Sequence, residues 1–112
     1  AFNNYLCATA HVAHAHGRRP ERWADDEQAQ VELRMKAPGR FAECFELIES
    51  RLFVGPWVMG ERYSVADPYL FTITQWLRIN GIDRAGFSKV SEHYARMRER
   101  PAVQQTLEAE QA

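Results

Sequence analysis

The sequence predicts an all-α protein, an orthogonal bundle of about five helices packed around one buried and capped central helix. Three observations carry that expectation. Apolar residues recur at helical spacing in several stretches, and no stretch alternates apolar with polar as a half-buried strand does. Residues 60–76, GERYSVADPYLFTITQW, also join a helix-start signal to a run too apolar to face water.

The first helix is expected over Ala1 to His16, with Phe2, Tyr5, Leu6, Thr9, Ala10, Val12 and Ala13 on its apolar face. The other face holds Asn3, Asn4, Cys7, Ala8, His11, His14 and Ala15, and nothing before Gly17 is an Asp, Glu, Lys or Arg. Solvated helix faces are normally charged, so this face should meet something. Gly17 then reads as a C-terminal stop, and Arg18, Arg19 and Arg22 as solvated residues of a loop.

Asp25, Asp26 and Glu27 place negative charge where a second helix would begin, and Val31, Leu33 and Met35 continue its pattern. Pro38-Gly39 should kink or break it. Beyond the break Phe41, Phe45, Ile48 and Leu52 form the clearest apolar stripe of the chain, with Glu43, Glu46 and Glu49 off it. Gly55, Pro56 and Gly60 punctuate the next stretch as an apolar connection over the core.

Ser64 and Asp67 have the spacing of a capping box. The Ser64 hydroxyl is expected to accept from the Asp67 N–H while the Asp67 carboxylate accepts from the Ser64 N–H. No formal charge occurs between Asp67 and Arg78, so this central helix should be buried all round until Asn80-Gly81 stops it. Ser88 is the expected cap of the next helix, with Val90, Tyr94 and Met97 inward and Glu92 paired to Arg96. Pro101 opens the last helix, with Val103 and Leu107 as its inward pair.

At 112 residues, 46% hydrophobic and 26% charged, residues 1–112 have the size of one domain that needs no disulfide or metal to hold a core. A net charge of −1 and a pI near 6.5 give no basic field for nucleic acid. Cys7 and Cys44 form no CxxC pair and read as reduced thiols of a cytoplasmic protein, and no signal peptide or membrane span is visible. The chain opens without Met and already inside a helical pattern, as would a domain that follows another one.

Residues 60–76, the Arg100-Pro101-Ala102-Val103 turn and the closing Glu108-Ala109-Glu110 together resemble the helical C-terminal domain of glutathione transferases, most closely the bacterial type. The resemblance is sharpest from Phe53 to Glu110 and faint from Arg18 to Gly39. It implies a preceding thioredoxin-like domain that binds glutathione and supplies the catalytic Tyr, Ser or Cys, so no catalytic residue is assigned in this chain and the chain alone should be inactive. It implies a homodimeric parent, with glutathione as co-substrate, no tightly bound cofactor and a small hydrophobic electrophile as the second substrate. His11 matches a histidine near glutathione, and Trp76 matches a tryptophan lining the hydrophobic substrate site. Thr9 stands where bacterial members often carry a polar or acidic residue approaching glutathione. The same helical domain also serves elsewhere as a non-enzymatic interaction module, which is the alternative function.

Each residue also has a simpler reading. His11 is otherwise a partly exposed polar side chain, Trp76 a core residue and Asp67 a helix cap rather than an acid catalyst. His11, His14 and His16 suggest a metal, but only His11 and His14 share a face and no third ligand stands at an obvious position apart from Cys7, so no metal is expected.

Overall fold

Five helices and a long connecting loop build the domain in the computed structural model, which describes residues 2–111; Ala1, where the periodicity starts the first helix, and Ala112 lie outside the described residues. Helix α1 covers residues 2–18, α2 covers 27–52, α3 is Ala66–Ile79, α4 is Ser88–Arg98 and α5 is Pro101–Gln111. Short 3₁₀ turns at Pro20–Arg22 and Arg84–Gly86 join α1 to α2 and α3 to α4. Among the described residues there is no strand, only a single antiparallel bridge between Trp57 and Gly60 inside the loop.

Helix α1 departs from the regular period. Its buried residues are Phe2, Leu6, Ala10 and His14, each four apart. In a uniform α-helix that spacing drifts by about 40° per step. A π turn at Leu6–Ala10 takes up the drift and keeps the four residues on one stripe. The wheel drawn at constant period therefore misplaces His14, which turns inward, and Thr9, which is exposed.

Gly17 does not stop the helix, which runs on to Arg18. A Cβ at Gly17 would lie 2.7 Å from the Ala37 Cβ, so this glycine lets α1 and α2 approach closely. Asp26 caps α2 by accepting from the Ala29 N–H at 3.1 Å. The helix continues through Pro38 without a break. The missing N–H deprives only the carbonyl of exposed Arg34, which water can serve. Val31 and Met35 belong to the outer face, 42% and 74% exposed, whereas Phe41, Phe45 and Ile48 are fully buried as their spacing requires.

The capping box of α3 forms with one change. Asp67 Oδ2 accepts from the Ser64 N–H at 2.8 Å, but the Ser64 hydroxyl accepts from the Ala66 N–H at 3.3 Å, while the Asp67 N–H bonds the Ser64 carbonyl at 3.1 Å. Asp67 is fully buried, and its other oxygen accepts from the Val58 N–H and the His93 Nε2–H, both at 2.9 Å. One carboxylate thus ties the loop, α3 and α4 together. Leu70, Ile73 and Leu77 are fully buried, but Pro68, Thr72, Arg78 and Ile79 are exposed, so the helix is not covered all round.

At its end Gly81 takes a left-handed φ of +74°, the Ile82 N–H bonds the Leu77 carbonyl at 2.9 Å and the Gly81 N–H bonds that of Arg78 at 3.0 Å, a Schellman stop. Ser88 does not cap α4. The Glu49 carboxylate does so from the end of α2, accepting from the Lys89 N–H. Arg96 donates to the Pro56 carbonyl at 2.6 Å and lies over the Trp57 ring instead of pairing with Glu92. On α4 the sequence also understates His93, which is fully buried, while Tyr94 is only partly covered and stacks on Phe71.

Candidate functional site

His11 and His14 stand about one turn apart in the regular helical segment that follows the π turn, so α1 presents both to the same side of α3. Trp76 receives both imidazoles. His14 stacks on the indole with centroids 4.3 Å apart and planes 15° apart, and His11 meets it edge-on at 5.0 Å and 66°. His11 is exposed, Trp76 half-buried and His14 buried, so the three step from solvent into the core.

Two further side chains hold this cluster. The Tyr69 hydroxyl lies 3.0 Å from His11 Nδ1, and Tyr69 stands two turns before Trp76 on the same face of α3. Asn80 Nδ2 donates to the Trp76 carbonyl and to His14 Nδ1, each at 2.9 Å. The bond to the carbonyl fixes the amide with its NH₂ toward His14, so Nδ1 must accept and the imidazole is neutral with its proton on Nε2. Burial, then the Arg18 charge, then His11 depress the His14 pKa, in agreement with that state.

Among the described residues no group of three or more His, Cys, Asp or Glu side chains could hold a metal, and no carboxylate joins the histidine pair. What the surface offers is an exposed imidazole, a phenol, a thiol at Cys7 beside that phenol, and an indole wall. Such a surface can hydrogen-bond a polar ligand and stack an aromatic one. It has no activated nucleophile.

Thr9 is not part of this cluster. It lines a groove of about 670 Å³ between α1 and α2, with Tyr5, Val12, His16, Lys36 and Arg40. Cys44 on that wall is buried and its thiol is pushed up by desolvation, which leaves it an inert core thiol. Ser64 and Asp67 are engaged in the helix cap and the His93 bond.

Sequence reading overlooked Tyr69, Asn80 and the inward His14. The seven-residue interval from Tyr69 to Trp76 places both on one helical face, a signal that was legible. Asn80 reads simply as a helix stop, and its amide finds His14 only through the packing of α1 on α3.

Residues 7–101 match the family described as Glutathione S-transferase, C-terminal domain. The chain is 30% identical over 91 residues to the glutathione S-transferase GstA of Escherichia coli O157:H7, an alignment covering 81% of this chain and 40% of that protein. It is 35% identical over 54 residues to the glutathione S-transferase GST-4.5 of Xanthomonas campestris pv. campestris, covering 48% of this chain and 26% of the relative. A crystal structure of a glutathione transferase homologue from Sulfitobacter with bound glutathione superimposes with a TM-score of 0.93 at 36% identity, over 96% of this chain and 52% of that one. The chain thus spans about half the length of these proteins or less. No described helix is long and apolar enough to cross a membrane.

Proposed function

The chain belongs to the glutathione S-transferase family as its C-terminal helical domain, and from that premise we propose that it is the substrate-binding half of a glutathione transferase. In this reading glutathione thiolate attacks a small hydrophobic electrophile. The residue that activates the thiol lies in a preceding thioredoxin-like domain, and this chain supplies His11 to glutathione and Trp76 to the electrophile. The parent is a cytoplasmic homodimer without a tightly bound cofactor.

The observation that supports the reading is the edge contact of exposed His11 with half-buried Trp76. A polar donor and a flat apolar wall stand side by side, as a site for two dissimilar substrates requires. Every relative named above is a glutathione transferase or a homologue of one, and none favours the interaction-module alternative.

Steady-state kinetics of the full-length parent, with each substrate varied separately, tests the assignment. His11→Ala should lower kcat/KM for glutathione about 10-fold, equivalent to one hydrogen bond of about 1.4 kcal/mol lost in the transition state. Trp76→Ala should instead raise KM for the hydrophobic substrate, since a passive wall binds ground and transition states alike. Unchanged glutathione parameters in a folded His11→Ala variant would return His11 to a surface residue.

A further inference from the structure

We propose that Tyr69 is a positioning residue for His11: its hydroxyl donates to Nδ1 and holds the imidazole as an Nε2–H donor for glutathione. The inference rests on the glutathione reading above and extends it to a side chain that reading does not use.

The chemistry of the pair sets the direction of the proton: a phenol is the stronger acid and an unprotonated imidazole nitrogen the stronger base, so the O–H···N arrangement is favoured over N–H···O. Tyr69 Oη has one proton to give and two neighbours, His11 Nδ1 at 3.0 Å and the Cys7 thiol. A neutral imidazole nitrogen is a strong acceptor and a thiol sulfur a weak one, so the phenolic proton goes to Nδ1. With Nδ1 accepting, the ring carries its own proton on Nε2. Burial raises the Tyr69 pKa above its ordinary value, as does the Cys7 thiol, so the phenol keeps the proton that this bond needs.

The ring is also held mechanically. Tyr69 packs against the core and Trp76 is gripped by His14 and Asn80, so α3 presents a hydroxyl and an indole edge on a fixed frame. The Tyr69 and His11 rings stand nearly perpendicular, 6.3 Å apart at 84°, and the Trp76 contact limits rotation on the other side. A surface histidine without these partners would exchange tautomers and rotamers freely.

Tyr69→Phe removes one oxygen and keeps the ring, so the packing survives and only the bond is lost. In the ¹⁵N-histidine-labelled chain at alkaline pH, long-range ¹H–¹⁵N correlation spectra should show the Nε2–H tautomer of His11 dominant. Tyr69→Phe should relax the tautomer ratio about fivefold, as the loss of one neutral hydrogen bond implies. Cys7→Ala should leave it unchanged. In the full-length parent, Tyr69→Phe should lower kcat/KM for glutathione about fivefold and add no further loss on top of His11→Ala. An Nδ1–H tautomer in the wild type, a ratio indifferent to Tyr69→Phe, or fully additive kinetic losses would overturn the inference. If His11→Ala alone impairs the parent while the tautomer ignores Tyr69, only this inference falls. If His11→Ala has no effect although Tyr69 fixes the tautomer, the glutathione reading falls and the positioning role falls with it.

Discussion

Replacing Asp67 by Ala should cost this domain far more than the loss of an ordinary helix cap. In the folded chain the carboxylate is fully buried and accepts from three donors at 2.8–2.9 Å: the Ser64 N–H, the Val58 N–H and the His93 Nε2–H. Truncation removes the acceptor and leaves the donors in place. An unsatisfied buried donor costs about 1–3 kcal/mol, but the Ser64 N–H is only part-buried and can recover water. Two fully stranded donors and one partly stranded therefore give a loss of about 3–5 kcal/mol, against about 1 kcal/mol for exposed Asp26→Ala at the α2 cap. Because a domain of this size holds about 5–15 kcal/mol in all, Asp67→Asn, which keeps one carbonyl acceptor, should accompany it and lose about half as much. Urea midpoints at unchanged m-value read the difference. Equal losses for Asp67→Ala and Asp26→Ala would show that the buried bonds contribute nothing beyond the cap.

Gly17→Ala and Gly39→Ala should move the melting temperature in opposite directions. The Cβ at Gly17 meets Ala37 at 2.7 Å and overpacks the α1–α2 contact, a cost of about 1–3 kcal/mol that exceeds the helix-propensity gain of about 1 kcal/mol, whereas nothing lies within 4 Å of a Cβ at Gly39. Acid should destabilise the domain through His93 and His14. Burial is the largest cause in both and holds both pKa values below the ordinary 6.5, with Asp67 opposing it at His93. Below that value the unfolded chain binds more protons than the folded one, so stability present at neutral pH is lost as pH falls through 6.5 toward the folded pKa values. Urea midpoints at pH 7.5 and 5.5 should show the drop, and a flat profile would refute it. The chain alone should conjugate glutathione to a model aryl halide no faster than a protein-free blank, and turnover above the blank would place a thiol-activating group within it.

Local sequence determines the start of α2 and both ends of α3 with little help from the rest of the chain. Asp26, the Ser64–Asp67 box and the Asn80-Gly81 stop act through bonds to backbone groups a few residues away, so their spacing is enough to read them. The stripe of Phe41, Phe45 and Ile48 is equally legible, because a strict period leaves a helix one way to bury itself. The family resemblance rests on the same local features, and the match over residues 7–101 agrees with it.

Packing between elements decides the remainder. The π turn at Leu6–Ala10 rotates the end of α1 and carries His14 into the core, a change no constant-period wheel contains. Gly17 closes a helix contact instead of ending a helix because Ala37 stands opposite it. Pro38 stays inside α2 because tertiary burial of the next two turns outweighs one lost bond. The cap of α4 comes from Glu49, which lies on another helix. The Asp67–His93 bond and the Tyr69–His11 bond likewise join side chains far apart in the chain. Their residue types are visible in the sequence, but hydrogen-bond geometry is fixed in space, and only the docking of α1 and α4 on α3 brings those atoms within reach.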